Sequence, residues 1–114
     1  MATLTSRTHR IPADHPALPG HFPGHPVVPG VVILEQVAQA ATELGLEAPG
    51  RFPQVKFIAP LPPEVPFRIE IDDPGRRGGH AFRCLRDDGS DTLLCAGQLA
   101  PGPAHRPDPT APVP

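Results

Sequence analysis

Two side chains with acid–base chemistry flank the start of an apolar segment. His21 opens a stretch rich in Pro and Gly, HFPGHPVVPG (21–30), and Glu35 lies in the apolar run that follows Gly30. A histidine held by a stiff loop is suited to act as a general base near neutral pH. If a helix begins at Gly30, its unpaired N–H groups could bind a carbonyl oxygen. Base, carboxylic acid and N–H donor together make a site for proton abstraction and elimination.

Each of these residues, taken singly, also has a simpler interpretation. A glutamate in the first turns of a helix often only interacts favourably with the helix dipole, and a loop histidine is often only a polar surface residue. A metal site formed by His15, His21 and His25 is disfavoured. The prolines among them exclude a helical ligand face, and no carboxylate or cysteine completes the set. Neither a metal nor a cofactor is therefore predicted.

One helix and several strands would have to position these groups. Pro29 is tolerated at a helix start, and the Ala-rich run EQVAQAATEL continues the VVIL segment, which predicts about four helical turns. Gly45 is typical of the position just past a helix end. The helix is predicted to be buried and wrapped by a sheet, because it is apolar on nearly every side except at Glu35, Gln36, Gln39 and Glu43.

Five segments have strand patterns, namely 3–11, 54–59, 66–72, 80–87 and 92–100. A turn around Gly89 joins the last two segments into a hairpin. If Gly89 and Ser90 are its two central residues, Cys84 and Cys95 lie directly opposite each other, whereas a turn at Asp88-Gly89 would shift that register. The predicted fold class is α+β, with one curled antiparallel sheet around one long helix.

Composition indicates a single domain of moderate core size. The 114 residues carry a net charge of −2, so no basic field would attract nucleic acid, and no apolar run reaches the length of a membrane span. The N-terminus has no apolar signal core, which predicts a cytoplasmic protein with two buried thiols. Residues 1–100 are predicted to form the domain. Residues 101–114 contain six of the 19 prolines and are predicted to form a disordered tail.

The loop and the helix start together resemble the signature of a known family. The signature is that of bacterial β-hydroxyacyl-(acyl carrier protein) dehydratases of the FabZ and FabA type. It is matched without a gap by HFPGHPVVPGV (21–31), and Glu35 and Gln39 follow at the family's spacing. The later run VKFIAPLPPEVPFRIEI is similar to the family's next strand pair. The resemblance implies a hotdog fold and a dimer with two active sites at its interface.

The resemblance also implies roles for individual residues. His21 of one subunit would remove the C2 proton of a 3-hydroxyacyl thioester, and Glu35 of the other subunit would act as the acid at the departing hydroxyl. The Gly30 N–H would polarise the thioester carbonyl. A glutamate at this position is typical of the FabZ type, which favours plain dehydration to a trans-2-enoyl product. This mechanism requires no cofactor and no metal.

Substrate and partners follow from the same resemblance. Phe22, Val31 and Gln39 would complete the substrate site with Gly30, and Gln39 could orient Glu35. The implied partner is an acyl carrier protein that presents an acyl-phosphopantetheine substrate. Candidates for docking this acidic carrier are the basic residues Arg51, Lys56, Arg76 and Arg77.

Only 20 residues precede His21, and the chain has no Tyr. In these respects it is similar to the compact dehydratases found beside aryl polyene, polyketide or lipid pathways, while the dehydratase type as a whole implies fatty acid biosynthesis. Some compact members work only with a second, non-identical hotdog subunit. One alternative is therefore a subunit of a heterodimeric dehydratase that has little activity alone. A hotdog thioesterase is less favoured, because those enzymes usually place a carboxylate on the central helix without the histidine loop.

Overall fold

One helix, α1 (Gly30–Glu43), lies against the concave side of a curled sheet. The computed structural model describes residues 3–16, 18, 27–47, 49–74 and 79–101. The 14 residues of α1 make about four turns, as predicted. Gly45 follows the helix with a φ of +88°, the left-handed conformation that favours glycine at this position. No helix in the described ranges is long and apolar enough to cross a membrane.

The faces of α1 divide by polarity. Its buried residues are Val32, Ile33, Val37, Ala40 and Ala41. Four residues spaced one turn apart form an exposed row, which is called the open stripe below: Val31, Glu35, Gln39 and Glu43. The prediction of a largely buried helix is thus confirmed for the inner face and wrong for Val31, whose exposed fraction is 64%.

The sheet contains five antiparallel strands in the order β1-β3-β4-β5-β2. Their bounds are β1 (Thr3–Thr5), β2 (Pro49–Phe57), β3 (Phe67–Asp72), β4 (His80–Arg86) and β5 (Leu93–Pro101). Strands β1 and β2 form the two edges of the sheet. This arrangement is the predicted α+β class, and it is the helix-in-sheet architecture of a hotdog fold.

An apolar core packs the sheet against α1, and ion pairs link neighbouring strands on the outer face of the sheet. Phe67, Ile69 and Ile71 of β3 are fully buried, and burying such side chains stabilises the fold by about 1.5–3 kcal/mol each. The alternate residues of β3 face outward, where Arg83 of β4 pairs with Asp72 at 2.9 Å and with Glu70 at 3.3 Å. These pairs are partly exposed, so they contribute less than the core. The strict alternation predicted for 66–72 is confirmed.

Three strand boundaries differ from the predictions. Strand β1 ends at Thr5, although the Ser6 amide still donates to the Ile69 carbonyl oxygen at 2.8 Å. The next bridge is an isolated one between His9 and Phe67, so 3–11 is not one continuous strand. Strand β2 begins at Pro49, well before the predicted start at 54. It ends at Phe57, because the next two amides, of Ile58 and Ala59, both donate to the Leu94 carbonyl oxygen. Strand β5 includes Pro101, one residue beyond the predicted domain end at 100. Residues 102–114 lie outside the described part of the chain.

The β4–β5 hairpin combines a confirmed register with a different turn. Cys84 lies directly opposite Cys95, and both thiols are free and buried. The connecting loop runs from 87 to 92, instead of a two-residue turn at Gly89 and Ser90. The register shifts after Cys84, and this irregularity compensates for the longer loop. Gly89 has a φ of +94°, which explains the glycine at that position.

Candidate functional site

The start of α1 presents backbone donors for which the helix itself has no acceptor. Pro29 precedes the helix in an extended conformation, and no side chain caps the helix. The Pro29 carbonyl oxygen accepts hydrogen bonds from the amides of Val32 at 3.0 Å and Ile33 at 3.3 Å. The amides of Gly30 and Val31 therefore have no acceptor within the helix. They lie at the positive end of the helix dipole, where a carbonyl oxygen or an oxyanion would be stabilised.

The aromatic ring of Phe57 lies directly against Gly30. A Cβ atom added at Gly30 would lie 2.5 Å from Cζ of Phe57 and 3.0 Å from each Cε atom. Carbon atoms in favourable contact are about 3.5–4.0 Å apart. Glycine at position 30 is thus explained by close packing rather than by backbone conformation, since the residue is helical.

A cleft of about 450 Å³ opens beside the helix start. Its size falls within the usual range of ligand pockets, about 300–1,000 Å³. None of the described side chains that line it is charged, so the cleft suits an acyl chain better than a polar ligand. The residues that line it are Val27, Val28, Pro29, Gly30, Ile33, Phe57, Ile58, Ala59, Pro60 and Leu61.

Glu35 lies away from this cleft within one chain. Gly30 and Ile33 face the cleft, whereas Glu35 is an exposed member of the open stripe. Five residues of α-helix rotate the side chain by about 140°. The single chain therefore does not bring the Glu35 carboxylate to the Gly30 amide.

Gln39 makes a different hydrogen bond from the expected one. Its Nε2 donates to Oε2 of Glu43 at 3.2 Å, one turn further along the open stripe. Glu43 Oε1 also accepts from Nε of Arg7 at 3.3 Å. In this arrangement the Gln39 amide is engaged with Glu43 rather than with Glu35.

Other predicted site residues divide into two groups. Arg51 and Lys56 are exposed on the edge strand β2, and neither joins an ion pair with another described residue. His21, Phe22, Arg76 and Arg77 lie outside the described residues. Among the residues that the structure describes, no group of three or more His, Cys, Asp or Glu side chains is placed to hold a metal ion.

The cleft has an exposed apolar rim that sequence reasoning missed. Phe57 is 51% exposed and Ile58 is 47% exposed, and both line the cleft. Their sequence signal is the pair of consecutive apolar residues that breaks the alternation of QVKF. Phe57 ends the edge strand β2 and Ile58 follows it, so the two side chains form an exposed apolar surface at this edge of the described sheet.

The buried thiols lie outside this site. Cys84 and Cys95 face each other in the middle of the β4–β5 hairpin. The hydrogen bond to Cys95, together with burial, raises the pKa of the Cys84 thiol. These features make Cys84 a structural thiol rather than a nucleophile.

Comparison with known proteins identifies a family. Residues 3–98 match a family model described as "ApeI-like: ApeI dehydratase". A 3-hydroxyacyl-[acyl-carrier-protein] dehydratase FabZ from Verminephrobacter eiseniae is 34% identical over 102 residues, which are 78% of this chain and 67% of that protein. The FabZ of Rhizorhabdus wittichii is 40% identical over 70 residues, 52% of this chain. That match spans only 45% of the relative's own length.

A solved structure shares the fold. It is a chain of "The Dehydratase Heterocomplex ApeI:P" from Xenorhabdus doucetiae, with a TM-score of 0.64 and 23% sequence identity. The match covers 88% of this chain and 97% of that chain. The similarity supports the helix-in-sheet architecture described above.

Proposed function

Because the chain belongs to the ApeI-like dehydratase family, we propose that it converts a 3-hydroxyacyl thioester on an acyl carrier protein into the trans-2-enoyl thioester and water. The family match over residues 3–98 and the names of the FabZ relatives support this reaction. The structural observation that carries it is the uncharged cleft that opens at the Gly30 amide. An acyl chain in this cleft would place its thioester near the free donors of α1.

The first step needs a base at C2, and we assign it to His21. The imidazole would take the C2 proton, and the electron pair left behind would delocalise onto the thioester oxygen. The amides of Gly30 and Val31 would donate to this oxygen as its negative charge develops. Removal of one such donor in an enzyme typically lowers kcat by about 10²–10³-fold.

The second step needs an acid at C3, and we assign it to Glu35. The protonated carboxyl would give its proton to the 3-hydroxyl as the C3–O bond breaks, so that water leaves. The electron pair on C2 then forms the C2–C3 double bond. The proton held by His21 returns to the Glu35 carboxylate before the next turnover, which leaves both groups as they began.

A second chain would bring the two halves of this site together. Glu35 points away from the cleft of its own chain, as shown above. The apolar rim of Phe57 and Ile58 and the edge strand β2 provide a surface that a second hotdog chain would cover. In such a dimer, Glu35 of one chain would face the cleft of the other. An identical chain and a different hotdog subunit both satisfy this requirement.

Carrier docking is assigned to four basic residues. Arg51 and Lys56 are exposed on β2, the strand that ends at Phe57 in the cleft. Their charges would attract an acidic carrier protein and would act mainly on the rate of association. Arg76 and Arg77 remain candidates for the same role.

Turnover of a 3-hydroxyacyl carrier protein by the purified chain tests the proposal. We expect an enoyl thioester product, and we expect His21→Ala and Glu35→Gln each to lower kcat by at least about 100-fold. Glu47→Gln is the matched control, because Glu47 is an exposed glutamate beyond the helix. Wild-type rates in both site variants would show that the roles are wrong. Release of free acid would instead indicate a thioesterase.

The alternative of a heterodimeric subunit is favoured by one comparison. The solved relative with the same fold is a chain of a dehydratase heterocomplex. This alternative predicts little activity for the chain alone and recovery when a second hotdog protein is added. Full activity of the chain as a homodimer would exclude it.

A further inference from the structure

His9 is a buried polar residue that the proposed reaction does not use. Its exposed fraction is 1%, and it is the one buried polar side chain within the described part of the chain. It lies between β1 and the loop that leads to α1, where its backbone pairs with Phe67. The His9 amide donates to the Phe67 carbonyl at 2.7 Å, and the Phe67 amide donates back at 2.9 Å. The position of the His9 backbone is therefore fixed by the sheet.

The His9 side chain connects this fixed backbone to α1. Nδ1 lies 2.8 Å from Oε1 of Gln36, the residue that follows Glu35 in the helix. The ring stacks on Phe67, with centroids 5.6 Å apart and planes 28° apart. Because the amide oxygen of Gln36 faces the ring, Nδ1 carries the proton and donates it. The hydrogen bond to Gln36 therefore fixes the orientation of the imidazole ring.

The other ring nitrogen has no hydrogen-bond partner among the residues that the structure describes. Nε2 of His9 is buried there without a hydrogen bond, which is unfavourable for a polar atom. An apolar residue would fill the same space without that cost. The sequence nevertheless places histidine here, so the Nδ1 hydrogen bond is the distinguishing feature of the residue.

A second contact joins the same segment to α1. Nε of Arg7 lies 3.3 Å from Oε1 of Glu43, which is two turns after Gln36 in the helix. The segment from Arg7 to His9 therefore runs antiparallel to α1 and contacts it at two points. The ion pair of Arg7 and Glu43 is exposed on both sides and is expected to contribute little to stability. The hydrogen bond between His9 and Gln36 is directional, and the His9 end is shielded from water.

We infer that His9 is a positioning residue: its hydrogen bond to Gln36 fixes the rotation of α1 about its own axis and thereby the direction of the Glu35 carboxylate. The apolar contacts of α1 do not define this rotation sharply, because hydrophobic contact is non-directional. Side chains reach about 5–6 Å from a helix axis, so a rotation of about 10° moves the carboxylate by about 1 Å. A displacement of that size can lower a rate by about 100-fold. This inference rests on the proposed role of Glu35.

Removing both partners separates orientation from stability. In the double variant His9→Phe/Gln36→Leu, no buried group loses its partner, so the midpoint of thermal unfolding should stay close to that of the wild type. We expect kcat to fall by about 10–100-fold, while KM stays within about threefold because Gly30 and the cleft are unchanged. His9→Leu/Gln36→Leu provides a smaller replacement in case the larger ring overfills the site.

Thr8→Val is the matched control, since it removes the hydrogen bond from the neighbouring Thr8 to Asp87 without touching α1. A double variant with wild-type thermal stability and wild-type kcat would overturn the inference. Loss of the fold in both double variants would also overturn it, because the pair would then support folding rather than orientation.

Amide NMR spectra decide the same question without the reaction. We expect the double variant to shift the amide resonances of 31–39 in α1 and to leave those of the β4–β5 hairpin unchanged. Unshifted α1 amides would contradict the inference. An inactive wild type with shifted α1 amides in the variant would refute the proposed function, while the control of helix rotation by His9 would stand.

Discussion

Because Gly30 contacts Phe57, the effect of Gly30→Ala on the free energy of unfolding should change sign when Phe57 is replaced by alanine. Gly30→Ala places a methyl group 2.5 Å from Cζ of Phe57, about 1 Å closer than a favourable contact between carbon atoms. The ring must therefore move. Phe57 is 51% exposed in the single chain, so there its ring can rotate away from Gly30 without displacing backbone.

The magnitude follows from two opposing effects. Overpacking costs about 1–3 kcal/mol in a rigid core, and the exposed ring places this case at the lower end, about 1–2 kcal/mol. Alanine is a better helix former than glycine by about 0.5–1 kcal/mol. Gly30→Ala should therefore lower the free energy of unfolding by about 0–1.5 kcal/mol in the wild type. In a Phe57→Ala background it should raise that free energy by about 0.5–1 kcal/mol.

Urea unfolding of the four proteins in this double-mutant cycle measures the coupling. All four must be compared at the same chain concentration, because association adds to apparent stability. We expect a coupling of about 1–2 kcal/mol between the two positions. A coupling within about 0.5 kcal/mol of zero, the limit for independent sites, would refute the packing argument.

Three further predictions concern the sheet. Gly97→Ala would push a Cβ atom into the backbone carbonyl oxygen of Gln54, which cannot rotate away. We therefore expect the free energy of unfolding, measured in urea, to fall by about 3 kcal/mol or more, and a fall of less than about 1 kcal/mol would contradict this. The Cys84 thiol should resist a maleimide in the native protein and react in urea, because a hydrogen bond to the neighbouring thiol and burial raise its pKa; equal labelling rates would disprove it. The hydrogen bond from Arg83 lowers the pKa of Asp72, so the stability difference between wild type and Asp72→Asn should be constant above about pH 5 and shrink as pH falls below about 4. A difference that does not change with pH would argue against this pair.

Periodic segments could be predicted from the sequence. The alternation of β3 and the length of α1 both follow from local patterns that one face of each element must satisfy. The opposition of Cys84 and Cys95 also agreed with one of the two registers considered, although the loop that produces it is longer. Here the sheet register was set by side-chain alternation, and a local irregularity absorbed the loop length.

Contacts between distant segments could not be predicted in this way. Nothing in the spacing of Gly30 and Phe57 indicates that the ring covers the helix start. The predicted second strand began at 54, whereas β2 extends back through Pro53 to Pro49. Because β2 is an edge strand, the missing N–H groups of these prolines are tolerated. His9 lies in a strand-like pattern, and only the packed structure shows that its ring is buried against Gln36. The separation of Glu35 from the cleft is likewise a three-dimensional fact.

The central claim is that one dehydratase site combines the cleft of one chain with Glu35 of another. Mixing His21→Ala chains with Glu35→Gln chains, under conditions where subunits exchange, tests it most directly. In a symmetric dimer, the mixed species would contain one site with both native groups, so dehydration should recover to about a quarter of the wild-type rate. A mixture as inactive as its two parents, with subunit exchange verified by mass spectrometry, would contradict the shared site.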